Sequence, residues 1–197
     1  MLLPTSFLPP VSYFRLIINA PAFSIEHHEH FVKQTIRNHC EIQSANGRLK
    51  LSVPVRHDNR WKIPIETIAI ASGEQWQRKH IRSIQSSYGK SPFYEYYQEE
   101  FETALSQDFQ TLCQVNKTML ALILKWLKIT KEPVYTDSYQ KHGEILQDYR
   151  TEWNEAKVRS LKKYTQVFSD RFAFMEDLSI IDLVFNCGPA AIDYLKS

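Results

Sequence analysis

The sequence predicts an α/β fold: a mixed sheet with an N-terminal strand–helix–strand unit, a β-hairpin and a helical C-terminal half. Three observations carry this. Short apolar runs at Leu2–Leu3 and Ala22–Glu26 flank one helical stripe of Val11, Phe14, Ile17 and Ile18, bounded by Pro10 and Pro21. Two strands joined through a helix pair in parallel. Asn46-Gly47 lies between two alternating runs, the preferred pair for a tight hairpin. From Trp76 onward, apolar residues recur at helical spacing.

In chain order, Pro4–Pro10 forms a turn-rich loop, and Pro21 stops the helix that begins at Pro10. In the hairpin, Leu49, Leu51 and Val53 share one face of the second strand, and Arg48, Lys50 and Ser52 the other. On the first strand, Cys40 and Ile42 alternate with His39, Glu41 and Gln43, expected on the wet face. Ile63–Ile70 is expected to add a strand. Ser72 then caps a helix to about Tyr88, with Trp76, His80, Ile81, Ile84 and Tyr88 near one side. Gly89 stops it, and Ser91-Pro92 restarts a helix with Ser as cap and Pro at its first position. Phe93, Tyr97, Phe101 and Leu105 follow every four residues. A further helix spans about Phe109–Lys128 on Leu112, Val115, Met119, Ile123 and Trp126. The stretch from about 130 to 163 is polar, and Glu144–Leu161 reads either as a solvated helix or as a mobile arm. Ser179 with Asp182 resembles a capping box, and Gly188-Pro189 ends one helix and starts the next.

The length of 197 residues suits a single domain over 1–197. A net charge of +2, without a basic run interleaved with aromatics, argues against nucleic-acid partners. Cys40, Cys113 and Cys187 are too scattered for a disulfide framework or zinc knuckle, which suits a reducing cytosol. No apolar segment is long enough for membrane insertion, so a cytoplasmic protein is expected. The five glycines form no phosphate-cradling loop, and no serine elbow is present, which removes kinase, dinucleotide-binding and elbow-hydrolase readings. Ten Tyr, eleven Phe and four Trp could fill a core or line a sugar-binding pocket. Tyr96, Tyr97, Phe93 and Phe101 are assigned to packing.

Several phrases in order resemble the WbqC-like family. They are Leu3-Pro4 through Tyr13-Phe14, Lys33-Gln34-Thr35-Ile36-Arg37-Asn38, Leu51-Ser52-Val53-Pro54-Val55, and Trp76 with His80. Tyr88 leading to Ser91-Pro92-Phe93-Tyr94 follows, then Tyr164 with Gln166-Val167-Phe168, and Leu178–Leu183. The resemblance spares only the polar segment around Thr130–Leu161. It implies a cytoplasmic protein with a role in surface-polysaccharide (O-antigen) synthesis, as an acyl- or aminoacyl-(glycine) transferase onto a sugar. This chain departs from the family pattern at Leu3, at Glu26-His27 in place of an Asp pair, and at His39 in place of an arginine.

Lys33-Gln34-x-x-Arg37-Asn38 packs two cations and two amides together. The cations suit a phosphate or carboxylate and the amides suit hydroxyls, although exposed ion pairs are the plain alternative. A small-molecule or sugar-linked anionic ligand is therefore the expected partner. Tyr164 and Gln166 share a face if extended, and Tyr88 completes the candidate binding set. His80, one turn after Trp76, is the candidate general base, with a core histidine as its alternative. His28 and His30 would face the same way in a strand, but a zinc site needs a third ligand, so neither metal nor cofactor is assigned. Two functions stay open: a transferase, and a non-catalytic ligand-binding or scaffolding protein. The site expected for either has Arg37, His80 and Gln166 meeting over one concave surface.

Overall fold

The computed structural model describes residues 1–56, 62–71, 75–141, 147–150 and 162–196. Strand β1 (Leu2–Pro4) leads through helix α1 (Val11–Asn19) to β2 (Ser24–Glu26), and the two strands pair in parallel with Leu3 opposite Ile25. Helix α1 buries Val11, Tyr13, Phe14 and Ile17. It closes at Ala20, held extended by the proline that follows. Strand β2 ends at Glu26. Much later, the two residues Val134–Tyr135 pair in parallel with its other edge and form the last strand of this sheet. Beyond β1, Leu2 donates to Gln147 O at 2.9 Å and accepts from the Tyr149 N–H at 3.0 Å, with Leu2 bridged in parallel to Asp148. The polar segment thus supplies both edges of a parallel sheet. Most of the helix-or-arm reading at Glu144–Leu161 falls outside the described residues. Leu2, Leu3 and Ile25 are buried, as expected of strands covered on both faces.

The hairpin pairs β3 (His39–Ser44) with β4 (Gly47–Ser52) in antiparallel register. Its turn differs from the expected one. Ser44 opposes Gly47, so Ala45 and Asn46 are the turn residues, and only Gly47 of the Asn46-Gly47 pair has positive φ, at 100°. The Ser44 hydroxyl shapes this turn, donating to Gly47 O at 2.9 Å and accepting from the Asn46 N–H at 3.3 Å. Gln43, expected on the wet face, is buried. Its N–H donates to Tyr88 Oη at 3.2 Å and its side-chain oxygen accepts from the Phe168 N–H at 3.4 Å, so a later segment covers that face.

No strand forms at Ile63–Ile70. A 3₁₀ turn at Ile65–Thr67 stands there, flanked by isolated bridges from Pro64, Ala69 and Ile70. Pro64 lacks a ladder donor, and the three-residue step from Ile65 to Ile68 breaks the period of two that a strand needs. Helix α2 (Trp76–Tyr88) carries the expected stripe, and the proposed cap Ser72 lies outside the described residues. Helix α3 (Tyr94–Leu105) starts two residues later than Ser91-Pro92 implies, because the Ser91 hydroxyl donates backward to Tyr88 O at 2.7 Å rather than capping forward. Helix α4 (Leu112–Trp126) begins with a capping box between Thr111 and Gln114. Helix α5 (Ile180–Cys187), a 3₁₀ turn at Gly188–Ala190 and helix α6 (Ala191–Lys196) complete the chain.

The aromatic excess is mostly core. Phe185 gathers Tyr88, Tyr94, Tyr97, Phe101 and Trp126 at ring-centroid distances of 5.2–6.4 Å. Tyr96 is the exception to the packing assignment, at 82% exposed. Gly188 has φ 53°, and a Cβ there would lie 2.4 Å from the Phe93 ring, so glycine is required twice over.

Candidate functional site

Two buried arginine–carboxylate assemblies brace the carboxyl ends of the parallel strands. Glu26, the last residue of β2, is fully buried. One of its oxygens accepts from the His28 N–H and the Thr136 hydroxyl, each at 2.8 Å. The other accepts from the Gln140 N–H at 2.9 Å and from Arg150 Nη1 at 3.1 Å. Arg150 also grips Asp148 through Nε at 2.9 Å and Nη2 at 2.5 Å. Nearby, Arg37 is bidentate on Glu29, at 2.8 Å and 2.6 Å, and its Nη2 reaches Arg150 O at 3.2 Å. Charges this deep persist only when paired and hydrogen-bonded, and these are.

Against this braced end lies a cavity of about 400 Å³. Three walls leave the carboxyl ends of parallel strands: Leu8 and Pro10 after β1, Gln34–Arg37 after β2, and Arg150 after the Leu2-paired segment. In open parallel sheets that is where ligands bind. The outer face of the hairpin supplies His39, Glu41 and Arg48, and the chain before α5 supplies Glu176, Asp177 and Ser179. Arg48 is tied to Glu41 at 2.9 Å and to Glu176 O at 2.6 Å. Asp177 accepts from the Ser12 N–H at 2.9 Å and from its hydroxyl at 2.7 Å. His39 differs from these. Burial, aided by Lys50, pushes its imidazole below the usual value, and its buried Nδ1 has no hydrogen-bond partner among the described residues. Burial pushes the neighbouring Cys40 thiol up, away from thiolate. The backbone is strained here too. Leu8, Gln34 and Asp177 have φ of 42°, 57° and 56°, and all three line the cavity.

Of the residues singled out from sequence, Gln34 and Arg37 line this cavity. Lys33 is exposed and off its wall. Asn38 turns to the hairpin, its amide donating to Val53 O at 3.4 Å. Tyr88, Tyr164 and Gln166 do meet, but around a different centre. Asp182 Oδ1 accepts from Tyr88 Oη at 2.9 Å, while Oδ2 accepts from Tyr164 Oη at 2.6 Å and Gln166 Nε2 at 2.9 Å. All four are buried. This corrects the capping-box reading of Ser179 and Asp182. Ser179 makes no side-chain cap and donates to Leu8 O at 2.8 Å, because Asp182 is already committed to three donors. Arg37, His80 and Gln166 therefore do not share one concave surface. Sequence reasoning missed His39, Glu41 and Arg48 as wall residues, although their placement on the hairpin's outer face was a usable signal. Arg150 and Asp177 left none.

His80 sits in the core, with ring centroids 5.3 Å from Trp76 and 5.8 Å from Phe7. Burial lowers its pKa to about 4 against a backbone hydrogen bond at Ser52 that raises it. Between the native value of about 4 and the ordinary 6.5, the unfolded chain holds a proton that the native chain refuses. Stability should therefore fall as pH drops through this window and level off below it, by up to about 3 kcal/mol from this group. Urea unfolding at pH 7 and pH 4.5 checks this: His80→Gln should lose clearly less stability than the parent. Equal losses would contradict it.

Among the described residues no helix is long and apolar enough to cross a membrane. The family model described as the WbqC-like protein family matches residues 5–153, more than half of the chain. That match runs through most of the polar segment and stops before Tyr164. An uncharacterised protein of Mycobacterium tuberculosis (strain ATCC 25618 / H37Rv) is 23% identical over 223 residues, covering 98% of this chain and 95% of the relative. No solved structure matches the chain.

Proposed function

Because the chain belongs to the WbqC-like protein family, we propose that it is a cytoplasmic protein of surface-polysaccharide synthesis whose cavity binds a hydroxyl-rich, sugar-sized ligand. The observation that carries this is the cavity itself. Its volume of about 400 Å³ falls within the roughly 300–1,000 Å³ of small-molecule sites. Its wall alternates acceptors and donors: the Gln34 amide, the Thr35 hydroxyl, the His39 imidazole and the carboxylates of Glu41 and Asp177. Arg37 and Arg150 are already saturated by carboxylates, so a polyol suits this wall better than a bare phosphate. Among the described residues no Phe, Tyr or Trp lines it, so hydrogen bonds are left to orient the ligand.

On this reading the protein is an acyl- or aminoacyl-transferase. The acceptor's hydroxyl or amine attacks the donor's carbonyl carbon, the donor's leaving group departs with the bonding pair, and His39 takes the acceptor's proton. An imidazole held neutral by burial on the cavity wall suits that task. No step is assigned to His80. The second reading is a binding protein of the same pathway, favoured by the self-contained pairing of the buried cations.

Gene deletion with complementation tests both. Loss of the chain should alter the acyl or aminoacyl decoration of the polysaccharide, and an unaltered polysaccharide would contradict the proposal. Under the transferase reading, His39→Gln should restore less than about a tenth of the decoration while the protein remains folded, given that a general base contributes about 10²–10⁴-fold. Full restoration by His39→Gln would leave the binding reading.

A further inference from the structure

We propose that His27, His28 and Glu66 form a binding site for a divalent transition-metal ion of the zinc class, separate from the cavity and independent of the function proposed for it. One ligand atom from each of these residues lies within 4.8 Å of the others. Two histidines and a glutamate with an open fourth position are an established zinc donor set. The sequence reading paired His28 with His30 on one strand face and lacked a third ligand. In the structure β2 ends at Glu26, so neither residue is in a strand, and His30 instead bridges Pro64 through its backbone. The third ligand comes from the 3₁₀ turn where a strand was expected.

The backbone fixes this arrangement. The Glu66 N–H donates to His27 O at 3.1 Å and the Ile65 N–H to Glu29 O at 2.8 Å, which clamps the turn against the 27–29 segment. His27 stacks on Tyr135 at 5.5 Å with an interplanar angle of 18°, and the two imidazole centroids are 4.5 Å apart.

The tautomer of His28 points to a cation. Its Nε2 lies 2.8 Å from Thr136 O, and a carbonyl can only accept, so Nε2 carries the hydrogen. That leaves the lone pair of a neutral imidazole on Nδ1, which is 3.0 Å from a Glu66 carboxylate oxygen. Two lone pairs at that distance repel unless a positive charge joins them. A metal uses both lone pairs and that of His27. Bonds of about 2.0–2.1 Å place tetrahedral ligand atoms about 3.3 Å apart, close to the separation of Nδ1 and the carboxylate oxygen. A ring N–H anchored on a backbone carbonyl is also the usual outer support of a metal-bound histidine. The His28 side chain is 20% exposed and that of Glu66 42%, which leaves the ion a route in.

The test is zinc titration of chelator-treated full-length protein at pH 7.5, by calorimetry and by competition with a chromophoric chelator. Uptake of one zinc per chain is expected, weakened at least 100-fold in both His27→Ala and His28→Ala and unchanged in His30→Ala. Circular dichroism of the metal-free variants should match the parent. Histidine nitrogen NMR gives a second readout: zinc should shift the His28 Nδ1 and leave its Nε2 bonded to the Thr136 carbonyl. Absence of stoichiometric uptake, uptake that survives the His27/His28 double variant, or a His28 Nδ1 signal indifferent to zinc would overturn the proposal.

Discussion

Replacing Glu26 with Ala is expected to cost the fold about 3–5 kcal/mol, the range for removing one partner of a buried ion pair. Most of that cost is what remains behind. The Arg150 side chain is 0% exposed, and without Glu26 part of its charge stays buried against Asp148 alone. The Gln140 N–H and the Thr136 hydroxyl, both in the segment that follows the Val134–Tyr135 strand, also lose their acceptor, so that segment comes loose from the end of β2. Urea denaturation should show a large drop in midpoint. A drop below about 1 kcal/mol, typical of a surface pair, would show that Glu26 does not hold the sheet ends together.

Asp182→Ala should be comparably damaging, on the order of 4 kcal/mol, because three buried donors lose one carboxylate at about 1–3 kcal/mol apiece. Tyr88, Tyr164 and Gln166 come from α2 and from the chain ahead of α5, so their shared acceptor fastens the C-terminal part to the hairpin and helices. Burial raises the Asp182 pKa while the hydrogen bonds from Tyr164, Gln166 and Tyr88 lower it, the signature of a carboxylate held by donors rather than by a cation. Tyr164→Phe removes one donor and leaves two, so it should cost about 1–2 kcal/mol. A Tyr164→Phe loss as large as that of Asp182→Ala would mean the network is not centred on Asp182.

Local signals in the sequence were reliable where one residue type decides the backbone. Pro10 and Pro21 bracket α1, alternation marks β3 and β4, and the three-four stripe marks α4. They failed where distant segments decide. Val134–Tyr135 is too short for any period, and it becomes a strand only because β2 offers an open edge. Gln43 reads as wet until the segment at Phe168 covers it. Asp182 looks like a cap until Tyr164 and Gln166 fold over it. The candidate site divides the same way. The cluster from Lys33 to Asn38 was legible as polar and unusual, and the resemblance to the family drew on it. What sequence could not show is that the Arg37 guanidinium is spent on Glu29, or that His39 and Asp177 would line the same cavity. The pair Arg37 and Glu29 is close in sequence but lies in no regular element that would set its facing, and His39 and Asp177 are well over a hundred residues apart, which carries no local signal.

The proposed function requires that the cavity between the β1 loop, the Gln34–Cys40 segment and the outer hairpin face take a hydroxylated ligand. Titration of isotope-labelled protein with amino sugars and nucleotide sugars, followed by amide and side-chain NMR, addresses it directly. Saturable shifts should concentrate at Gln34, Thr35, His39, Glu41 and Asp177, leaving His80 and the Asp182 network unmoved. Shifts that avoid this wall, or inorganic phosphate producing the same saturable pattern as the sugars, would contradict it.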